Sequence, residues 1–140
     1  MYQLDDFQNG QVLLVNKPLE WTSFQVVNKI HLLLRKRFDI KKIKVGHAGT
    51  LDPLATGLLL VCTGKKTKQI QNLIATDKTY TGMICLGATT PSYDLETEIV
   101  PQSDPTNLTD EDIKHATSRF VGNILQKPPL FSAIKRKGKR

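Results

Sequence analysis

The stretch Gly46-His47-Ala48-Gly49-Thr50-Leu51-Asp52-Pro53-Leu54-Ala55-Thr56-Gly57 sets a single carboxylate among glycines and apolar residues. Glycines permit positive φ angles or a close approach of the backbone, and the proline pushes the residue before it toward an extended conformation. A solvated linker would carry several charges, whereas His47 is the only other ionisable group here. We therefore predict a structured loop whose backbone is fixed by Gly46, Gly49, Leu51, Pro53 and Gly57.

The residues alone leave two interpretations of Asp52 open. A lone carboxylate in an apolar, glycine-rich loop is a common way to present a nucleophile or a general base. An aspartate before a proline is also a common Asx-turn residue that only stabilises a local bend.

Hydrophobic patterns predict four elements in the first half of the chain. Residues 12–15 form a short strand that ends at Lys17-Pro18, and residues 58–62 form a continuous apolar run that is typical of a buried central strand. A helix from about residue 65 to 75 buries Ile70, Leu73 and Ile74. Thr22 or Ser23 caps a longer helix, with these apolar positions at helical spacing: Val26, Val27, Ile30, Leu33, Leu34 and Phe38.

The second half is predicted to contain fewer elements. Residues 78–86 alternate in part and predict the next strand, and residues 87–105 read as a loop with one short strand at 99–100. Thr109 begins a helix with acidic residues in its first turn, and Gly122 ends it. Its predicted apolar face consists of Ile113, Ala116, Phe120 and Val121.

Length and composition bound the class of protein. A chain of 140 residues fits one domain, and its net charge of +7 with a pI near 9.5 favours a polyanionic partner, nucleic acid rather than a membrane. Its sequence has no apolar run near the length of a membrane span and no signal-peptide pattern. Cys62 and Cys85 are predicted to be buried thiols of a cytoplasmic protein. The cysteines and histidines lack metal-ligand spacing, so no metal is expected.

Four ordered motifs resemble one family. The first-quoted stretch, followed by Val61 and Gly64-Lys65-Lys66-Thr67-Lys68, resembles the signature of the TruB family of tRNA pseudouridine synthases. Upstream, Val15-Asn16-Lys17-Pro18 with Thr22-Ser23 resembles the family's K-P-x-G-x-T-S element, although Glu20 stands at its glycine. Downstream, Lys78-Thr79-Tyr80 resembles its K-x-Y strand, and residues 128–135 (PPLFSAIK) resemble its P-P-x-[YF]-S-A-x-K segment.

The resemblance implies a fold, an activity and a partner. The fold is α+β, a mixed and mostly antiparallel sheet with flanking helices. Residues 1–140 would be the N-terminal portion of the catalytic domain. A motif with an arginine that pairs with the catalytic aspartate, and a PUA-type domain, are expected beyond this portion, which alone is expected to be nearly inactive. The activity is isomerisation of the uridine at position 55 in the tRNA T loop, without cofactor or metal. The partner is the T stem-loop of tRNA, and the full-length protein is expected to be a monomer.

The resemblance also assigns roles to individual residues. Asp52 is the catalytic residue, and Tyr80 stacks on the uracil after it has been flipped from the RNA. His47 either contacts the RNA or forms a hydrogen bond that structures the loop. Lys17 is assigned to substrate binding through a motif that packs beside the catalytic loop. Without the family, Tyr80 reads as a half-exposed strand tyrosine.

Lys65 and Lys66 are assigned to RNA phosphates, because cations near a helix start favour anions. The general alternative for the basic residues is a solvated helix face. A nucleotide-binding P-loop is excluded, since six residues separate Gly57 from Gly64 where the motif has four. A non-catalytic RNA-binding or RNA-folding module stays open as the second functional hypothesis, motivated by the charge.

Overall fold

A computed structural model of the chain describes residues 2–74 and 77–127. It divides into two compact units, Met1–Tyr80 and Thr81–Arg140. The elements, in chain order, are α1 Leu4–Asn9, β1 Val12–Lys17, α2 Ser23–Phe38, β2 Val45–Ala48, β3 Gly57–Thr63, a 3₁₀ helix Gly64–Gln69, α3 Ile70–Ile74, β4 Ala88–Thr89, β5 Val100–Pro101 and α4 Asp110–Ser118.

The first unit is built on an antiparallel sheet in the order β1-β3-β2. The predicted α+β class and the central position of the 58–62 run are confirmed. At one end of the sheet, Lys17 of β1 lies opposite Gly57 of β3. Leu59 is 1% exposed but its neighbour Leu58 is 63% exposed, because successive strand residues point to opposite faces. The central strand is therefore buried on one face near its start, whereas near its end both faces are buried, at Val61 and at Cys62.

Helix α2 supplies the other half of the core. Thr22 caps it, accepting a hydrogen bond from the Gln25 amide while the Gln25 side chain accepts from the Thr22 amide, which is a capping box. The helix buries Val26 and Val27 in one cluster with Leu59 and Val61. Leu33, predicted for the apolar face, is 54% exposed, because it lies one position before the buried Leu34, at the edge of the buried stripe of the helix.

Three features of this unit differ from the predictions. Helix α1 and strand β2 were not predicted. Because β2 contains the Gly46-His47-Ala48 triplet and β3 begins at Gly57, the irregular loop is confined to residues 49–56. The helix predicted from about residue 65 starts as a 3₁₀ helix and becomes α-helical only over Ile70–Ile74. Its apolar residues Ile70, Leu73 and Ile74 are partly buried, and its predicted end lies outside the described residues.

Residues 78–86 are not a strand in this structure. They are exposed over their whole length, and no described segment forms a ladder with them. Met83, Ile84 and Cys85 are consecutive, so the run presents no single apolar face that alternation could bury. A two-stranded ladder follows instead, in which β4 pairs antiparallel with β5. The predicted short strand is displaced by one residue from β5.

Helix α4 begins as predicted, with Thr109 and Asp112 forming a capping box. It ends at Ser118, earlier than predicted. Beyond that residue the backbone tightens into bonds of the i to i−3 type, from Arg119 to Ala116 and from Phe120 to Thr117. Phe120 therefore lies outside the helix and is exposed, as is every described residue from 101 to 127.

The two cysteines differ. Cys62 is buried in β3, and burial raises the pKa of its thiol, an effect that the nearby Lys66 ammonium partly offsets. Cys85 is exposed, so the prediction of a buried thiol is wrong there, because the strand that would have buried it does not form. Within residues 2–74 and 77–127, no helix has the length and apolar character needed to cross a membrane.

Candidate active site

The loop at residues 49–56 joins β2 to β3 and presents Asp52. The Asp52 side chain is exposed. A turn follows it, closed by a 3.0 Å hydrogen bond from the Ala55 amide to the main-chain carbonyl of Asp52. Because the carbonyl closes this turn, the carboxylate is not needed for that contact.

Ser23, the first residue of α2, holds the backbone immediately before Asp52. Its hydroxyl accepts a hydrogen bond from the Leu51 amide at 3.0 Å and donates one to the Leu51 carbonyl at 3.2 Å. Ser23 is 2% exposed, so water does not compete for these bonds. One buried side chain thus satisfies both main-chain polar groups of Leu51.

Lys17 holds the backbone immediately after Asp52. The lysine is fully buried, and its ammonium donates to the main-chain carbonyls of Pro18, Trp21 and Pro53. An ammonium has three N–H donors, so none remains for a phosphate. Lys17 thus packs beside the loop and supports its main chain, and the substrate-binding role predicted for it would act through that loop.

Glu20 adds a second bond to the same carbonyl. Its amide donates to the Pro53 carbonyl at 2.8 Å. To do so it takes a left-handed conformation with φ of 64°, which costs a non-glycine residue free energy. This left-handed conformation explains why the motif has a glycine at this position. Glu20 adopts the same conformation although it has a side chain.

His47 structures the loop from the end of β2. Its Nδ1 lies 2.6 Å from the Gly49 carbonyl oxygen. Because a carbonyl oxygen can only accept, the hydrogen bond places the ring proton on Nδ1 and leaves Nε2 as the second polar atom. This contact matches the loop-structuring alternative for His47.

Two of the predicted loop glycines adopt conformations that other residues avoid. Gly49 has φ of 89° and Gly57 has φ of 124°, both in the range that favours glycine. Gly46 instead allows a close approach, because a Cβ there would lie 2.9 Å from Cδ1 of Ile70. Leu51 and Pro53 act through the main-chain bonds described above.

Lys65 and Lys66 lie in the 3₁₀ helix that follows β3, whereas the Asp52 loop precedes β3. The seven residues of β3, at about 3.3 Å each, separate these two ends by roughly 20 Å. The Lys65 ammonium donates to the Asn9 side chain and that of Lys66 to the Gln69 side chain, each at 3.0 Å. Both lysines are thus remote from Asp52.

Tyr80 lies in the same unit as the loop, outside any strand, with 65% of its side chain exposed. Lys78, two residues earlier, passes close to the loop, since its Cε lies 3.6 Å from the position that a Cβ on Gly49 would occupy. Sequence reasoning missed Lys78 as a neighbour of the loop. It also missed the Ser23–Leu51 contact, although the Thr22-x-x-Gln25 capping-box pattern could have shown that Ser23 is not needed as the cap.

The segment at residues 128–135 lies outside the described residues. Within the described ranges, no group of three or more histidine, cysteine or acidic side chains is arranged to hold a metal ion.

Comparisons with known proteins show the family to which the chain belongs. Residues 35–140 match the model of the TruB family pseudouridylate synthase N-terminal domain. A tRNA pseudouridine synthase B of Flavobacterium johnsoniae is 58% identical over 138 residues, which cover 97% of this chain and 60% of the relative. Proteins of the same name from Phocaeicola vulgatus and Chloroherpeton thalassium are each 53% identical, with 96% and 94% of this chain and 57% and 54% of the relatives covered.

The chain thus spans about three fifths of the length of the curated relatives it matches. The match of the family model extends over most of its residues, including the Asp52 loop. The family predicted from the sequence motifs is confirmed: the chain belongs to the TruB family of pseudouridylate synthases.

Proposed function

We propose that this chain provides the catalytic aspartate of a tRNA pseudouridine synthase, which isomerises the uridine at position 55 of the T loop. The observation that carries the proposal is the presentation of Asp52. Its carboxylate is exposed, while the main chain on both sides is held by hydrogen bonds that buried side chains donate, Ser23 before it and Lys17 after it. Such a rigidly supported, accessible carboxylate is suited to reaction with a bound substrate.

The chemistry requires one carboxylate and no redox partner. The bond between N1 of uracil and C1′ of ribose breaks, the base rotates, and a bond forms between C5 and C1′. The proton displaced from C5 is lost and N1 gains one, so atoms and electrons balance. Attack by Asp52 on C1′, attack on C6 and abstraction of a sugar proton each need its carboxylate at the target nucleotide.

The target uridine must leave the folded T loop to reach this carboxylate. We assign Tyr80 to the stack beneath the flipped uracil, because an exposed aromatic face supports an extruded base. His47 has a second role in this proposal: with Nδ1 bound to Gly49, its Nε2 is the atom that faces the RNA.

The proposed partner is tRNA, bound through its backbone as well as its T loop. Lys65 and Lys66 would contact phosphates remote from the target base, in keeping with their place beyond the far end of β3. The excess of seven positive charges supports a polyanionic partner.

The test is an Asp52→Asn variant of the full-length gene product, assayed on a tRNA T stem-loop in single turnover. We expect pseudouridine formation to fall by at least about 1,000-fold, because an amide is neither a nucleophile nor a base. The dissociation constant for tRNA should change less than about threefold, since the fold and the basic residues are unchanged.

Asp39→Asn is the matched control. Asp39 is an exposed aspartate of the same unit, at the left-handed C-cap of α2, where asparagine is well tolerated. It should turn over at the wild-type rate. Normal turnover by Asp52→Asn would overturn the assignment of the catalytic residue.

The net charge of +7 also fits the second candidate, a non-catalytic RNA-binding module. A wild-type protein that binds the T stem-loop and forms no pseudouridine would favour it. In either case, phosphate contacts predict that log affinity falls with log salt by about 0.7 to 0.9 for each contact.

A further inference from the structure

We propose that Ser23 is a positioning residue for Asp52, so that its buried hydroxyl sets the catalytic rate without touching the RNA. This inference rests on the proposed function, since it assigns Ser23 a part in the same reaction. The hydroxyl bonds both the amide and the carbonyl of Leu51, the residue that precedes Asp52.

The two hydrogen bonds between Ser23 and Leu51 resemble the pair that two residues exchange between antiparallel strands, except that a single side chain makes both. A backbone segment normally exchanges such a pair of bonds with another backbone, but Leu51 lies in the irregular loop and pairs with no strand among the described residues. A serine hydroxyl has one donor and two acceptor sites, which is enough to replace the ladder. The two residues are 28 positions apart in sequence, so the contact fixes the loop to α2 rather than to itself.

Three consecutive peptide planes around Asp52 are held in this way. The Leu51 carbonyl, bonded by Ser23, belongs to the plane that Leu51 shares with Asp52. The Asp52 carbonyl accepts from Ala55 in the next plane, and the Pro53 carbonyl accepts from Lys17 and Glu20 in the one after. With these planes fixed, the carboxylate can reorient only about its own side-chain torsions.

Removal of the Ser23 hydroxyl frees the first of the three planes. The Leu51 amide and carbonyl would lose their partners in a buried place, and the loop would move to reach water. A displacement of about 1 Å at a reacting group can lower a rate by roughly 100-fold. The effect should therefore fall on the chemical step rather than on RNA binding.

The neighbouring residue gives a matched control. Thr22 caps α2 through the Gln25 amide, whereas Ser23 bonds only the loop through its hydroxyl in the described contacts. Thr22→Ala thus removes the cap of α2 and lowers stability, but leaves the Leu51 contact in place. Ser23→Ala removes the contact and leaves the cap.

The experiment compares both variants with wild type in the full-length gene product. In single-turnover assays on the T stem-loop, we expect Ser23→Ala to lower the rate of pseudouridine formation by about 10- to 100-fold, with the dissociation constant within about threefold. Thr22→Ala should keep the rate within about twofold, at a temperature below the melting point of both variants. Ser23→Thr, which keeps the hydroxyl, should recover most of the lost rate.

A second measurement follows the Leu51 amide by hydrogen exchange in the unliganded protein. Ser23→Ala should raise its exchange rate at least about tenfold, and Thr22→Ala should not. If Ser23→Ala does not fold, Ser23→Cys keeps a weak donor and acceptor and should show smaller changes in the same directions.

Wild-type turnover and wild-type Leu51 exchange in the folded Ser23 variant would overturn the inference, while leaving the proposed function intact. An inactive wild-type protein would instead overturn the proposed function, and with it the catalytic role of Ser23. Equal rate losses in Ser23→Ala and Thr22→Ala would show that Ser23 acts only on stability.

Discussion

The two units of the chain differ in what stabilises their structure. The first contains a hydrophobic core in which Leu59, Val61 and Cys62 are almost completely buried. In the second, the described residues 81–127 include one buried residue, Ser92. Long apolar side chains such as Leu125 are fully exposed there.

Hydrogen bonds show the same contrast. In the first unit, side chains connect distant segments: Gln11 to Thr63, Lys17 to Pro53 and Ser23 to Leu51. In the second unit they join near neighbours, as in the pairs Ser92–Thr97, Asp94–Glu96, Asp104–Thr106 and Thr109–Asp112. Local bonds form turns and caps, but only long-range bonds can hold a loop such as 49–56 at a fixed place. The candidate site therefore lies in the unit that has a core.

The largest expected difference between the units is in the free energy of unfolding after a leucine is truncated to alanine. Leu59→Ala removes a side chain that is 1% exposed at the centre of the sheet, and should lower the free energy of unfolding by about 2–5 kcal/mol. Leu125→Ala, in the second unit, removes a side chain that the described residues leave fully exposed, and should change it by less than about 0.5 kcal/mol. Urea unfolding followed by circular dichroism measures both.

Either variant could contradict the difference in core packing between the two units. A loss above about 2 kcal/mol in Leu125→Ala would show that the second unit has a core to which residues outside the described ranges contribute. A loss below about 1 kcal/mol in Leu59→Ala would contradict the core described for the first unit.

A smaller and opposite effect is expected at Glu20 and Tyr93, left-handed residues that lie one in each unit, with φ of 64° and 62°. Glycine at either position relieves steric strain and costs chain entropy, so each variant should gain a net stability of about 0.5–1 kcal/mol. The melting temperature and urea midpoint measure the gain.

Glu20→Asn separates strain from charge, because asparagine tolerates the left-handed region and removes the carboxylate. It should recover part of the gain. A loss of stability in Glu20→Gly would instead show that the Glu20 side chain supports the loop.

The fold could be predicted where local rules and burial agree. Strand β1 combines an apolar run with a breaking proline, helix α2 combines apolar periodicity with a cap, and strand β3 is a continuous apolar run, so their existence followed from the residues. Strand β2 did not, because two of its four residues, Gly46 and His47, lack strand propensity and it is held by pairing with β3.

The strand predicted at residues 78–86 does not form, for the opposite reason. Their partial alternation predicts a strand, but a strand also needs a partner for its backbone groups, and none of the described segments supplies one. Pattern alone could not reveal that absence.

For the candidate site, the sequence motif predicts the loop and the aspartate that it presents, but not the side chains that support the loop. Asp52 followed from the motif, whereas the role of Lys17 depends on full burial against three carbonyls, which spacing does not show. Ser23 was named only as part of a motif and a possible cap. Its contact with Leu51 is between residues 28 positions apart, and such contacts are set by tertiary packing.

The smallest expected effect distinguishes the two capping boxes by pH. Thr22 pairs with Gln25 at the start of α2, and Thr109 pairs with Asp112 at the start of α4. Hydrogen bonds from the Thr109 side chain and backbone lower the pKa of the Asp112 carboxyl. Its contribution to the cap is thus present above the pKa of an unfolded aspartate, about 3.9, and is lost as the pH falls through the lower folded value.

The Gln25 amide does not titrate in this range, so we expect acidification below about pH 4 to loosen the first turn of α4 and leave that of α2 unchanged. Amide chemical shifts and exchange rates of Asp112 and Gln25 against pH measure the two turns separately. Asp112→Asn leaves Asp110 and Glu111 of the same turn unchanged and should remove the pH dependence of α4. Gln25→Glu should give α2 the same pH dependence. If the pH response of α4 persists in Asp112→Asn, it arises from the carboxylates of Asp110 and Glu111, which interact with the helix dipole. The two capping boxes would then not differ in their dependence on pH.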